Sequence, residues 1–193
     1  MTDNFFEKFR RFFPLDKEKW DEYISYYHRI EVPARTILLR EGEVSRKAYF
    51  IEKGCIRAWL SSKKKDITFQ FFFEDHNVSS VESFRKSVPS SLTLETIEPC
   101  VLHWISKENL DKIMKEIMQV PETRDQMNEA LFERQMNYVN LFLSFIKYTP
   151  SERYAQLVKE RPELVLRVPQ QYIASYLGIT PVSLSRIRAK LKA

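Results

Sequence analysis

Hydrophobic positions change their period along this 193-residue chain, and the changes mark its elements. Up to about residue 30, Phe5, Phe6, Phe9, Phe12, Phe13, Trp20, Tyr23 and Tyr27 fall at helical spacing, as a core-facing stripe does. Pro14 and Asp16 are predicted to divide this region into two short helices. From about Ile30 to Trp104 the stretches TILL, AYFIEKGCIRAWL, ITFQFFF and SLTLETI are rich in β-branched and aromatic residues and alternate in places. That is the pattern of short, half-buried antiparallel strands. Turns are predicted at Glu41-Gly42-Glu43, Lys53-Gly54 and Ser61 to Lys65, with Lys63-Lys64-Lys65 as a solvated hairpin tip. The spacing predicts a small barrel or jelly roll.

Helical periodicity returns at Ser106, a predicted cap for SKENLDKIMKEIM. Pro121 opens the longest helical stretch, up to Tyr148, with Pro150 as its stop. Met127, Leu131, Arg134, Tyr138, Leu141, Phe145 and Tyr148 are spaced alternately four and three apart, the 3.5-residue period of a coiled-coil seam. Val139, Phe142 and Ile146 form a second apolar stripe. A helix with two stripes can face its own domain and a partner together, so a symmetric homodimer paired along residues 121–148 is expected, against a fully buried helix within one domain. After Pro150 a helix capped by Ser151 and stopped near Pro162 is predicted, then an extended link from Leu164 to Val168.

The last segment, PQQYIASYLGITPVSLSRIRAKLKA, reads as two helices joined by a tight turn. Ile173, Ala174 and Leu177 line one side of the first, and Leu184, Ile187 and Leu191 repeat on the second. Gly178 suits the turn, Thr180 offers a capping hydroxyl, and Pro181 fits a first helical turn, where no amide bond is lost. With the apolar side inward, Ser183, Arg186 and Lys190 are expected outward. This is a helix-turn-helix layout, whose second helix could enter a DNA major groove. The bland alternative is a helical hairpin with a solvated basic face. The predicted fold class is therefore α+β: an antiparallel β-roll or jelly roll with flanking helices over residues 1–120, a long dimerisation helix over 121–148, and a helix-turn-helix domain over 149–193.

Charge sharpens this picture. Residues 149–193 carry eight Lys and Arg against three Asp and Glu, while the preceding 148 residues carry 23 of each, so the whole net charge of +5 lies in the last segment. A polyanion would be drawn to that end, with affinity falling as salt rises. Only Cys55 and Cys100 are present, too few for a disulfide scaffold, a four-cysteine metal site or an iron–sulfur cluster. His28, His76 and His103 show no ligand spacing, so no metal site and no catalytic residues are expected. Three glycines leave no nucleophile elbow, P-loop or dinucleotide fingerprint. The charged start MTDNFFEKFRRFF lacks a signal core, and no apolar run is long enough to cross a bilayer, so a cytoplasmic protein without membrane contact is expected.

The order helix, β-roll, long helix, helix-turn-helix resembles the Crp/Fnr family of bacterial transcription regulators over nearly the whole chain. REGEVSRKAYFIEKGCIRAWL is similar to the first half of a cyclic-nucleotide-binding roll, and in YIASYLGITPVSLSRIRAKL the family pattern is matched by Ile173, Leu177, Gly178, Thr180, Ser183 and Arg186. The resemblance implies double-stranded DNA as partner, with Arg186 on guanine edges or nearby phosphates and Thr180 and Ser183 holding the backbone. Gln170, Gln171, Pro181 and Lys190 complete the candidate DNA contacts, and RNA polymerase is a further candidate partner. Pro181 and Val182 replace the charged pair often found there and can offer apolar contacts, such as to a thymine methyl.

The roll departs further from the family. In NVSSVESFRKSVPSSLTLETI, Glu82 stands for the ribose-binding Glu and Ser90 for the phosphate-binding Ser, but no Gly precedes Glu82 and Pro89 occupies the expected Arg position. Glu82, Arg85, Ser90 and Ser91 are the candidate effector residues. Without a guanidinium, a cyclic phosphate loses its bidentate contact, so cyclic AMP is not the expected effector. Another small effector, or none, remains open. The chain ends two residues past Leu191, so either a wing precedes the motif or the DNA interface is smaller. The competing expectation is a small-ligand sensor module that signals through protein contacts.

Overall fold

The computed structural model describes residues 5–10, 13, 15–62 and 65–192. Phe12, Pro14 and the tip lysines Lys63 and Lys64 lie outside them. The element order is α1 (Glu7–Arg10), α2 (Lys17–Ser25), β1 (His28–Val32), β2 (Ile37–Leu39), β3 (Lys47–Lys53), β4 (Ile56–Ser62), β5 (Lys65–Phe72), β6 (Asn77–Val78), α3 (Val81–Lys86), β7 (Thr93–Thr96), β8 (Cys100–Ser106), α4 (Lys107–Ile117), α5 (Pro121–Lys147), α6 (Pro150–Glu160), α7 (Pro162–Arg167), α8 (Gln170–Tyr176) and α9 (Pro181–Lys192).

Two four-stranded antiparallel sheets form the roll, in the orders β1-β8-β3-β6 and β2-β7-β4-β5. Alternation decides what each face buries. Tyr49, Ile51, Ile56, Ala58, Leu94 and Leu102 fill the space between the sheets. Their neighbours point the other way. From the first sheet, Ala48 and Ile105 pack with Tyr23, Phe84, Ile113 and Ile117 of the flanking helices. From the second, Phe71 and Phe73 join a core with Leu157, Leu164, Ile173 and Leu184 of the C-terminal helices. Gly54 turns the chain between β3 and β4 at φ 107°, where a Cβ would sit 2.5 Å from Cys100 Sγ. Only glycine fits that turn. Cys55 and Cys100 are both buried and free.

Several boundaries differ from the pattern-based expectation. Ser106 does cap α4, accepting from the Asn109 amide. The cap of α6, however, is Thr149, which forms a reciprocal box with Glu152 that Ser151 does not supply. Pro150 and Pro162 each begin a helix instead of ending one, because proline loses no bond in a first turn. The stretch expected to be an extended link is consequently helix α7, with Leu164 fully buried. In so short an apolar run, alternation and helical period cannot be told apart.

Helix α5 divides its apolar positions between the chain's own fold and the exposed surface. Of the 3.5-period set, Met127 packs on the flanking-helix core, Arg134 donates to Asn77 Oδ1 at 3.1 Å, and the Tyr138 ring lies 5.5 Å from that of Phe69. Those three residues serve the chain's own roll and flanking helices, whereas Leu131, Phe145 and Tyr148 of the same stripe are 56%, 42% and 39% exposed. The other side carries Phe132, Met136, Val139, Phe142, Leu143 and Ile146, all exposed, with Phe142 at 66% and Ile146 at 67%. No helix among the described residues is long and apolar enough to cross a membrane.

Candidate nucleic-acid interface

Local chemistry fixes the α8–α9 pair. Gly178 sits at φ 68°, and a Cβ there would approach Phe145 Cε1 to 3.3 Å. Thr180 caps α9: its hydroxyl accepts from the Ser183 amide at 3.1 Å and shares a 2.9 Å hydrogen bond with the Ser183 hydroxyl. Ile173, Ala174, Leu177 and Leu184 are buried and set which side faces inward. The outward side of α9 therefore presents Pro181, Val182, Ser185, Arg186, Ala189 and Lys190, all exposed. Among the described residues, no acidic side chain pairs with Arg186 or Lys190.

Gln170 and Gln171 lie exposed at the start of α8, while Thr180, Pro181, Arg186 and Lys190 lie on the exposed surface of the turn and α9. Ser183 differs. It is half-buried with its hydroxyl engaged at the cap, and Ser185, absent from the sequence candidates, occupies the outward face. Helical period selects Val182, Arg186 and Ala189 opposite the inward Leu184 but places Ser183 and Ser185 symmetrically on its two flanks, so it could not choose between them. Leu191, expected inward, is 52% exposed.

The pair is seated on the outer face of the second sheet. Ser175 Oγ accepts from the Thr68 amide at 2.9 Å and donates to the Asp66 carbonyl at 2.8 Å, covering edge strand β5 with a helix. Arg57, its side chain 3% exposed, reaches Glu95 Oε2 at 2.7 Å and lies 3.8 Å from the Tyr172 ring centre. Phe71 meets Tyr176 edge-on. Arg167 forks onto both Glu74 oxygens at 2.8 and 2.7 Å and also bonds Glu98. Those bonds hold the Glu74 carboxyl at about 2, below the usual carboxylate range, against the upward push of partial burial. Magnitudes rank these contacts. Fully burying a leucine or phenylalanine is worth about 1.5–3 kcal/mol, whereas a part-exposed ion pair gives about 0–1. The apolar seam holds the helices on the roll, and the ion pairs fix their orientation.

Arg153 links α5 to the turn. Its Nη1 donates to the Tyr148 carbonyl at 2.7 Å, its Nη2 to the Leu177 carbonyl at 2.9 Å, and the guanidinium covers the Phe145 ring. Beside it a cleft of about 730 Å³ opens between α5, β5, α6 and α8, lined in part by Gln70, Asn137, Tyr138, Gln156 and Glu160.

The effector candidates lie on and after α3. Glu82 is exposed and pairs with Lys86 at 2.9 Å, which lowers its carboxyl; Arg85 and Ser91 are exposed. Ser90 is buried, its hydroxyl shared with Ser80 at 2.9 Å and with the Leu92 backbone. Among the described residues no hydrogen bond joins any two of the four. Pro89, in the position where the resemblance expects Arg, is exposed and bridges to Val44. The one fully buried guanidinium among the described residues, Arg57, points away from the space between the sheets and is committed to Glu95.

Residues 29–117 match the family described as the cyclic nucleotide-binding domain. The matched residues run from β1 through α4 and so take in the whole roll. No curated protein sequence matches the chain. Among solved structures, the c-di-GMP-responsive global regulator CLP of Xanthomonas campestris is similar at a TM-score of 0.72 and 19% identity, with 92% of each chain covered. FixK2 of Bradyrhizobium japonicum gives 0.73 and 17%, covering 86% of this chain and 84% of its own. A CooA mutant of Carboxydothermus hydrogenoformans gives 0.69 and 15%, covering 87% and 77%. The chain as a whole thus shares the fold of these structures, with the β-roll leading and the α8–α9 pair closing.

Proposed function

We propose that this chain is a DNA-binding transcription regulator of the Crp/Fnr type, acting as a cytoplasmic homodimer. One observation carries the reading: α9 buries Leu184 in the core and turns outward a face whose Arg186 has no acidic partner among the described residues. Arg can donate two bonds to guanine O6 and N7, and a hydroxyl such as that of Ser185 suits phosphate oxygens. The exposed stripe from Phe132 to Ile146 supports pairing of two α5 helices about a two-fold axis. Two α9 helices would then meet major grooves about one helical turn apart on a near-palindromic site. The Arg153 link supports α5 as the element that transmits any change of pairing to the turn. Filled space between the sheets and the missing guanidinium at Pro89 argue against cyclic AMP as the effector.

The test is a gel shift of the full chain against random duplex, repeated with Arg186→Ala. Loss of a bidentate base contact is expected to weaken retention of a preferred duplex roughly 5- to 150-fold. Absent retention, or retention indifferent to Arg186→Ala, would overturn the reading in favour of a sensor that docks other proteins through its C-terminal helices.

A further inference from the structure

We infer that the outward face of α9 recognises thymine methyl groups, so that its preferred half-site places thymines within about two base pairs of the guanine read by Arg186. The inference rests on the DNA-binding reading above. Of the outward side chains, Arg186 and Lys190 alone carry charge, Ser185 is small, and Pro181, Val182 and Ala189 are apolar. Val182 is 61% exposed on the side opposite Leu184, which is fully buried, so it contributes little to the protein's own core. Ser183, whose hydroxyl could have read a base edge, is held by Thr180.

That leaves directional hydrogen bonding near the start of α9 to few groups. An apolar side chain pressed on cytosine N4 or guanine O6 strips water from a polar edge without replacing it, whereas the thymine C5 methyl loses nothing. The occupant of this face is duplex DNA because the whole net charge of +5 lies within residues 149–193. Spacing sets the distance. Val182 and Arg186 are four residues apart, about 6 Å along the helix axis, and stacked bases repeat at about 3.4 Å.

The experiment selects duplexes from a random library with the full chain, then replaces the thymines beside the selected guanine with deoxyuridine, which removes only the methyl. Each replacement is expected to weaken binding roughly three- to five-fold, the scale of one buried methyl. Val182→Ala should bind thymine and deoxyuridine duplexes within a factor of two of one another. Its exposure makes a folding defect unexpected, and circular dichroism checks that. Equal binding of both duplexes by the wild type, or undiminished discrimination by Val182→Ala, would overturn the inference and leave the DNA-binding reading standing. A wild type that retains no duplex at all would remove the reading beneath it.

Discussion

Gly178 shows how one residue sets the geometry of a surface that it does not itself form. Its φ of 68° is a region that side chains rarely adopt, and a Cβ there would press on Phe145, which is also the ring beneath Arg153. Gly178→Ala is expected to destabilise the chain by about 1–2 kcal/mol, read as a lowered thermal midpoint. If the midpoint is unchanged, the turn is not held in this conformation. Sequence pattern was enough to place Gly178, Thr180 and Pro181, because each acts on its own backbone. It was not enough for Ser183 and Ser185, since both are plausible outward residues until the cap hydrogen bond assigns one of them. Arg57 was less legible still. In a strand it reads as an ordinary solvent-facing polar position, and partners distant in the chain, such as the Tyr172 ring 115 residues later, come to lie against it.

At the scale of elements, the longer strands β3, β4 and β5, together with α4, α5 and the closing pair, were legible because their periods run long enough to be distinguished, whereas β1, β6 and β8 were not singled out. Helix α7 was not, being one turn of apolar residues after a proline. The two stripes of α5 were both visible, but which of them faces inward depends on where Phe69 and Asn77 come to lie, and periodicity carries no such information. The structure leaves the Val139, Phe142 and Ile146 side uncovered. A charge there would be desolvated in a paired helix and harmless in an unpaired one. Phe142→Glu, alone or with Ile146→Glu, is therefore expected to convert a dimer to a monomer in sedimentation equilibrium at micromolar concentration, with far-UV circular dichroism preserved. A wild type that sediments as a monomer would contradict pairing through α5.

On the scale of the whole molecule, the α8–α9 pair is not tethered beside the roll but seated on it. Protons should loosen the seat. Glu74 has its carboxyl held at about 2 by Arg167, against an ordinary value of 4.5. Its contribution is therefore complete above about pH 4.5 and disappears as the pH falls towards 2. Because the pair is about one-third exposed, screening keeps this contribution below about 1 kcal/mol, a shift of roughly 2–4 °C in a chain of this size. Thermal scans from pH 5 to pH 2 should show Glu74→Gln losing less stability over that window than the wild type. Parallel curves would mean that this ion pair does not couple to folding.

Shared walls also govern how the molecule comes apart. Phe71 and Phe73 on one side, and Leu164, Ile173 and Leu184 on the other, belong to a single apolar cluster. Neither half can be stripped from the other without wetting the side chains of both. Heating should accordingly produce one calorimetric peak, and limited proteolysis should find no cut that releases the last 45 residues as a stable fragment.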